Sequence, residues 1–393
     1  MPSQASIIKA MQFDFIYSKN PINTSSDPRR VITYQFAGNS QPADFGDFNS
    51  SYSGWTKLSK GEKRTVNKML KHVETFLNVD FQQVKNTPDP DMNIGKVTLP
   101  TGIAGYGGPK VMYSGKNITD YDSYAVYDRN INLKNGQNAL ILHEVGHALG
   151  LKHPFEGAVL LDNKYDNNHY TLMSYTADPT HSGDNKVMML YDILALQDIW
   201  GAATYHAGNN TYDGPRVSGT DVIWDTGGKD TFDASARSNK TKLDLRDGHF
   251  SKFGTFQDVA IAFGVTIENA KGGSNNDKII GNSSANTLNG NGGNDTIKGG
   301  GGADTIKGGK GNDKLIGGGG ADTFVFAKGD GHDTIRDHAA GEHIEISGHG
   351  NTAAIIAAAS DSGGDVVIDF GNGDVITVLH TTVAALQADL FAV

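Results

Sequence analysis

The chain has 393 residues, of which 37% are hydrophobic, and its formal net charge is −10. This length allows two domains with separate cores, and no apolar run reaches the ~18 residues that a membrane span requires. The acidic balance argues against binding to the phosphate backbone of nucleic acids and is compatible with binding of divalent cations. The lack of cysteine excludes disulfides, thiolate metal ligands and cysteine nucleophiles.

The first residues, MPSQASIIKAMQFDF, lack the basic start and the long apolar core of a usual signal peptide. Taken alone, this start indicates a cytoplasmic protein. The other end of the chain leads to a different interpretation, given below.

Residues 59–79 are predicted to form an amphipathic helix that packs on a sheet. Ser59 and Glu62 have the spacing of a capping box, in which each satisfies a backbone N–H of the other. Apolar residues then follow at helical spacing. They are Val66, Met69, Leu70, Val73, Phe76 and Leu77.

Further strands and helices alternate over about the first 200 residues. Strands are predicted over 31–36 and 124–133, and helices over about 138–149 and 187–200. Interleaved strands and helices of this kind indicate an α/β layer domain. The Gly- and Asn-rich stretch 205–215 marks the exit from it.

The segment HEVGHALGLKHP begins at His143 and has the spacing of a zinc site. His143 and His147 lie four residues apart, on one helical face, where two imidazoles can bind one zinc ion. Glu144 is placed to accept a proton from a water in the open coordination position. Gly150 ends the helix and allows a sharp turn, which can return His153 as the third ligand. Helix histidines that only satisfy hydrogen bonds are the alternative, and the glycine and third histidine at fitting offsets argue against it.

Six nine-residue repeats run head to tail over residues 272–325. Each repeat has an apolar residue at its eighth position, and five have aspartate at the sixth, where the second repeat has Asn286. The glycines allow a tight turn before a short strand, and alternate units face the same side. Aspartates 18 residues apart therefore stack and form an oxygen cage for a hard cation. A flexible Gly/Asn linker is the alternative, but it would not keep this period.

These motifs resemble those of a known family. HExxHxxGxxH followed by Pro154 is similar to the zinc motif of the metzincins, and of their serralysin branch in particular, while the units resemble the nonapeptide calcium repeats of RTX proteins. YTLMSYT at 170–176 resembles the Met-turn. The resemblance implies that Met173 lies under the zinc site and that the Tyr175 hydroxyl is a switchable ligand that stabilises the oxyanion.

The resemblance covers roughly residues 30–393 and implies two domains. We expect an α/β (α+β) metzincin catalytic domain over 21–204, followed over 205–393 by an all-β parallel β-roll that contains the repeats. Residues 1–20 would be a prosegment or an N-terminal arm.

The resemblance also implies calcium positions before and within the repeats. DTGGKD at 225–230 is similar to the family's first calcium turn, and VTIEN at 265–269 would share an ion with it; an acidic surface loop is the alternative for both. Asn286 opposite Asp304 departs from the pattern, so we expect a weak or empty site there, and Glu345 puts one further site in doubt. The implied calcium ligands are Asp225, Gly227, Gly228, Asp230, Thr266, Glu268, Gly273, Asn275, Asp277, Gly290, Gly292, Asp295, Asp304, Asp313 and Asp322.

The implied function is that of a zinc endopeptidase that cleaves proteins or peptides, with one zinc ion and several calcium ions. The C-terminus, ADLFAV, resembles the uncleaved signal that a type I ABC exporter reads, so we expect a secreted, extracellular monomer; a frayed tail is the alternative. A small periplasmic inhibitor protein is a further expected partner. A calcium-dependent adhesin or S-layer-type protein with an inactive peptidase-like domain is the competing hypothesis, which the intact ligand set and Glu144 disfavour. A broad nutrient protease and a dedicated toxin fit the sequence equally well.

Overall fold

The computed structural model describes residues 1–19, 21–48, 52–134, 136–180, 182, 185–256 and 258–393. The chain divides into two compact units. The first comprises Met1–Tyr205 and Val217–Trp224, and the second comprises His206–Arg216 and Asp225–Val393. The predicted boundary after residue 204 lies at the end of the first long segment, but residues 217–224 return to the first unit.

The first unit combines helices with a mixed sheet. The helices are α1 (Gln4–Met11), α2 (Asp14–Tyr17), a 3-10 helix (Ala43–Phe48), α3 (Lys60–Val73), α4 (Asn138–Ala148) and α5 (Leu190–Trp200). The strands are β1 (Arg30–Phe36), β2 (Val79–Gln83), β3 (Met92–Val97), β4 (Gly105–Ser114), β5 (Asn117–Asp128) and β7 (Asp221–Ile223). Strands β1 to β5 form a sheet in the order β2-β1-β3-β5-β4, in which β4 is antiparallel to β5 and the other pairs are parallel.

Local chemistry explains where the predicted elements end. The capping box of α3 is present, since Ser59 accepts from the Glu62 N–H while the Glu62 carboxylate accepts from the Ser59 N–H. The predicted helix over 59–79 was too long, because α3 ends at Val73 and the β-branched Val79 already pairs with β1. The predicted strand over 124–133 was displaced, since β5 runs from Asn117 to Asp128. It ends where Asp128 accepts a hydrogen bond from the Asn130 N–H in a turn.

Helix α4 packs against β4, β5 and α3. Its buried residues include the polar Glu144 and His147 as well as Ile141, Leu142 and Val145. Carbonyl groups at its end, which lack helical partners, accept from side chains: the Trp200 indole donates to Leu149 over 2.9 Å and the Tyr121 hydroxyl donates to Ala148. This anchoring fixes the helix that carries the HEVGH segment.

The second unit is mostly β and rich in parallel strands. Its strands are β6 (Thr211–Tyr212), β8 (Thr231–Asp233), β9 (Lys242–Asp244), β10 (Phe250–Ser251), β11 (Val259–Ile261), β12 (Asn269–Lys271), β13 (Lys278–Ile280), β14 (Thr287–Asn289), β15 (Thr296–Gly301), β16 (Thr305–Lys307), β17 (Lys314–Gly319), β18 (Thr323–Ala327), β19 (His332–Ile335), β20 (His343–Ser347), β21 (Ala359–Ser362), β22 (Asp365–Asp369), β23 (Val375–Val378) and β24 (Leu390–Ala392). Two short helices, α6 (Thr352–Ala357) and α7 (Val383–Leu386), and a 3-10 helix (Gln387–Asp389) complete it.

Successive strands of the repeats alternate between two eight-stranded sheets. One has the order β24-β20-β18-β16-β14-β12-β8-β6 and the other β21-β22-β23-β19-β17-β15-β13-β9. Thr287 pairs with Thr305 and Thr305 with Thr323, a step of 18 residues, as the repeat spacing predicts. Beyond the repeats the step lengthens, because Thr323 pairs with His343. The eighth-position apolar residues are buried. They are Ile279, Leu288, Ile297, Ile306, Leu315 and Phe324.

None of the described helices combines the length and the apolar character that a membrane crossing requires.

Candidate metal centres

The three histidines of the HEVGHALGLKHP segment converge. Helix α4 carries His143 and His147, and Gly150 turns the chain with a φ of +112° so that His153 comes back towards them. The His147 Nε2 lies 3.1 Å from the His153 Nε2, which lies 3.3 Å from the His143 Nε2. One ligand atom from each ring is thus within 4.8 Å of the others. Three converging imidazole nitrogens are a donor set that fits zinc.

Hydrogen bonds at the Nδ1 atoms fix the orientation of two of these rings. The His143 Nδ1 lies 2.7 Å from the Leu172 carbonyl, and the His147 Nδ1 lies 2.8 Å from the Leu151 carbonyl. A carbonyl accepts only, so each Nδ1 carries the proton and each Nε2 keeps its lone pair. Burial lowers the pKa of His143 to about 4 and that of His147 to about 3. Both rings are therefore neutral near pH 7, as metal ligation requires.

Glu144 is a buried carboxyl group beside this cluster. Its side chain is only 3% exposed, and within the described part of the chain its Oε2 has no hydrogen-bond partner. Burial raises the pKa of Glu144 to about 8. A divalent cation held by the three histidines would favour the ionised form. An acid–base group with a pKa near neutrality is suited to both accepting and returning a proton.

The turn that contains Met173 lies beneath α4. Met173 is fully buried, and a Cβ atom placed on Gly146 would lie 2.9 Å from its sulfur. The turn is fixed by Asp192 of α5, whose carboxylate accepts from the Thr171 hydroxyl over 2.5 Å and from the Leu172 N–H over 2.8 Å. Asp192 is not among the residues predicted from the sequence. The signal was an aspartate in the first turn of a predicted helix, where it caps that helix as well.

Tyr175 stands at the surface beside the histidines. Its side chain is 72% exposed, and its ring centroid lies 4.6 Å from that of His153 and 6.0 Å from that of His143. The cleft that these rings border has a volume of about 630 Å³ and is also lined by Glu144 and by the first residues of β4. Phe13 lines it too, from an N-terminal segment that bonds to the turn after α4 through the Phe13 N–H and the Gly150 carbonyl.

The repeat aspartates form two hydrogen-bonded ladders. The Asp277 N–H donates to Asp295, the Asp295 N–H donates to Asp313, and the Asp304 N–H donates to Asp322, always through Oδ1 and over 2.6 to 2.9 Å. The other carboxylate oxygen of four of them is buried and without a partner in the described chain. These four are Asp295, Asp304, Asp313 and Asp322.

Unpartnered buried oxygens mark positions that a cation would fill. A Cβ placed on Gly290 would lie 2.2 Å from the Asp295 Oδ2 and 2.5 Å from the Gly308 carbonyl oxygen, so both oxygens border one small space. Burial raises the pKa of Asp295 to about 8 and that of Asp304 to about 7. The residues present thus fit an oxygen-ligated ion such as calcium.

The other predicted calcium residues are only partly brought together. The Asp230 N–H donates to Glu268 over 2.7 Å, and the Gly227 N–H donates to Asp225 over 3.0 Å, so the two predicted segments meet. Burial raises the pKa of Asp230 to about 6, and Asp225 and Glu268 add to the rise. Thr266 is exposed.

The remaining glycines and Asn275 contribute backbone groups. The Gly273 N–H donates to Asp277 over 2.5 Å, and the Gly292 N–H donates to the Gly273 carbonyl. A Cβ placed on Gly293 would lie 2.7 Å from the Asn275 carbonyl oxygen, so adjacent turns touch there. A Cβ placed on Gly228 would meet the Gly208 carbonyl at 2.5 Å. Close backbone approach explains why the turns need glycine.

The sequence comparisons agree with this geometry. Residues 220–393 match the family described as peptidase M10 serralysin C terminal. The chain is 32% identical to a serralysin of Proteus mirabilis over 306 residues, which is 67% of this chain and 60% of the relative. It is 30% identical to metallopeptidase AprA of Pseudomonas marginalis, over 65% of this chain and 61% of that relative.

The chain is a relative of the serralysins. The predicted family resemblance is thereby confirmed. Serralysin G of Dickeya chrysanthemi is similar as well, at 30% identity over 66% of this chain and 60% of that protein. The matches span about 60% of the length of these curated relatives.

Two acidic residues of this serralysin relative extend the ladders beyond the predicted set. The Asp313 N–H donates to the Asp333 Oδ1 over 3.0 Å, and Glu342 precedes the residue that pairs with Thr323, which places it opposite Asp322. Burial raises the pKa of Asp333 and of Glu342 to about 7. Neither is among the predicted ligands, although the acidic stretch 330–337 was seen to continue the pattern, because each follows its partner by 20 residues, outside the nine-residue period.

Asn286 changes one turn of the serralysin relative. Its Nδ2 donates to the Glu268 carbonyl and to the Asn282 side chain, both over 3.1 Å, while its Oδ1 accepts from the Asn282 N–H over 2.8 Å. The Asn286 N–H still donates to Asp304, so the ladder is continuous. The neutral amide removes one negative charge from this turn and is hydrogen-bonded within the chain, so the turn does not fit the pattern of its neighbours.

Proposed function

We propose that this chain is a secreted zinc endopeptidase of the serralysin type, which hydrolyses peptide bonds in proteins and is stabilised by calcium bound in its second unit. The observation that carries the proposal is the convergence of three Nε2 atoms beside the buried, unpartnered carboxylate of Glu144. The cleft next to them is open to a peptide. The relatives named serralysin and metallopeptidase support this reaction class.

In the proposed mechanism, His143, His147 and His153 hold the zinc ion. When bound, zinc supplies Lewis-acid activation of a water and of the scissile carbonyl. Glu144 accepts the proton of the attacking water and then passes it to the leaving amine. The Tyr175 hydroxyl donates a hydrogen bond to the oxyanion, and its exposed position leaves it free to swing towards the substrate.

The remaining features belong to the same proposal. The proposal also includes a metzincin catalytic domain over residues 21–204 and the calcium ligands named above. It includes export by a type I exporter through the C-terminal signal. The last strand, β24, pairs with β20, so the C-terminal residues join a sheet of the folded unit. A signal of this kind would then be read before the unit folds.

The test is substitution of the base together with metal analysis. Glu144→Gln keeps the shape of the side chain, so we expect unchanged zinc content and a loss of casein hydrolysis of at least about 10²-fold. Glu345→Gln, a glutamate of β20, is the control and should keep full activity. Near-normal hydrolysis by Glu144→Gln would refute the mechanism. Calcium binding without stoichiometric zinc or turnover in the parent chain would favour the adhesin hypothesis.

A further inference from the structure

One face of the second unit carries a regular array of cations. In β13, β15 and β17 the buried residues Ile279, Ile297 and Leu315 lie between the two sheets. The residues on either side of each of them therefore point outward. Lys278 and Lys314 stand in register two strands apart, separated by Thr296 of the strand between them, which corresponds to about 10 Å. Lys298 lies on that middle strand, two residues further along. Each of these three strands thus carries one exposed lysine, at alternating positions across the sheet.

A groove of about 720 Å³ lies in this face. The exposed Lys278, Lys298 and Arg246 line it, together with the half-buried Ile280 and Ile316. Neutral hydrogen-bonding groups are present as well, from Ser283 and Thr296. The described lining contains no Phe, Tyr or Trp ring.

The positive charge of the groove is only partly balanced within the chain, by the exposed Asp247 of its lining and by the partner of Arg246. Asp244 accepts two hydrogen bonds from Arg246, both 2.8 Å long, and also pairs with Lys242 at 3.2 Å. By contrast, Lys278 and Lys298 form no ion pair with any residue that the structure describes. On the opposite sheet, Lys271 pairs with Asp233 at 3.4 Å. Free cations on a chain of net charge −10 mark this face as electrostatically distinct.

We propose that this groove binds a linear polysaccharide that carries carboxylate groups, such as a polyuronate. A polymer with a carboxylate on each sugar can pair with Lys278 and Lys298 on neighbouring strands, and its hydroxyls suit Ser283 and Thr296. Single-stranded nucleic acid is a poorer match, since its bases stack on Phe, Tyr or Trp rings, which the described lining lacks. A membrane is a poorer match too, because it requires protruding apolar side chains rather than a groove. The proposal is independent of the peptidase activity.

The test uses the calcium-loaded full chain and a short, labelled oligogalacturonate that does not gel, with free calcium kept in excess. We expect binding that weakens steeply between about 50 mM and about 200 mM salt. The methyl-esterified, neutral oligomer should bind at least about tenfold more weakly. Lys278→Glu with Lys298→Glu should lower affinity by about tenfold or more, with an unchanged thermal transition.

The matched control is Lys271→Glu with Lys307→Glu on the opposite sheet, which should bind like the parent chain. The proposal fails if the parent does not bind at the lower salt concentration, or if both double variants bind equally well. It also fails if a DNA oligomer or vesicles of anionic phospholipid bind to the groove more tightly than the oligogalacturonate.

Discussion

A single amide group distinguishes one turn of the repeats from its neighbours. At Asp295, Asp304, Asp313 and Asp322 a buried carboxylate oxygen has no partner in the described chain. At Asn286 the oxygen in the corresponding place is Oδ1, which lies beside the Gly299 carbonyl and accepts from the Asn282 N–H, while the amide nitrogen donates two further hydrogen bonds. A neutral amide whose groups are satisfied within the chain removes the need for an ion. The sequence identified Asn286 as a departure, but only the contacts show what replaces the cation.

Asn286→Asp should therefore create a calcium site. We expect about one additional calcium ion per chain, because two facing carboxylates then meet carbonyl oxygens. In calcium chelator the variant should be less stable than the parent by about 1–3 kcal/mol, since it loses the amide donors. Equilibrium dialysis and chemical unfolding measure the two effects. Asn294→Asp, at an exposed position of a neighbouring turn, is the control, and an unchanged calcium count in Asn286→Asp would contradict the assignment.

Helices and strands could be predicted where their sequence pattern has a local cause, and not where it has a tertiary one. Helix α4 was predicted over 138–149 and observed as Asn138–Ala148, because its periodicity and the glycine that ends it are local signals. The hairpin of β4 and β5 was not predicted in full. Residues Gly105, Gly107 and Gly108 hide the alternation of a strand, and the first two are explained by the close packing of α4 on β4. That reason is tertiary and cannot be read from β4 alone.

Two neighbouring glycines of β4 should therefore respond differently to alanine. A Cβ on Gly107 would lie 2.2 Å from the Glu144 backbone carbonyl, whereas on Gly108 its nearest neighbour would be Tyr124 at 3.6 Å. Gly107→Ala must push β4 away from α4, which should cost about 1–3 kcal/mol of unfolding free energy and displace Glu144. Gly108→Ala should be close to neutral. Thermal unfolding and casein hydrolysis measure both variants, and equal behaviour would show that β4 does not hold α4 in place.

For the whole molecule, the 18-residue register followed from the sequence, because repeats impose their period on the fold. The return of residues 217–224 to the first unit and the 20-residue steps after the repeats did not, since neither carries a periodic signal. The second unit also stacks buried carboxylates at intervals of one turn. Without calcium, the apolar contacts of one residue per nine-residue repeat must offset both this repulsion and the conformational entropy of the many glycines.

Removal of calcium should therefore destabilise the second unit far more than the first. Each ion contributes stability by mass action, about 2.7 kcal/mol at a free concentration of 100 times its dissociation constant, so the dependence on calcium should be steep. We expect two thermal transitions, of which the one assigned to the second unit moves down in chelator while the other stays within a few degrees. Magnesium should not restore it, because its octahedral, closely spaced coordination does not suit these cages. If neither transition temperature changed with calcium, apolar packing alone would be enough to stabilise the stacked aspartates.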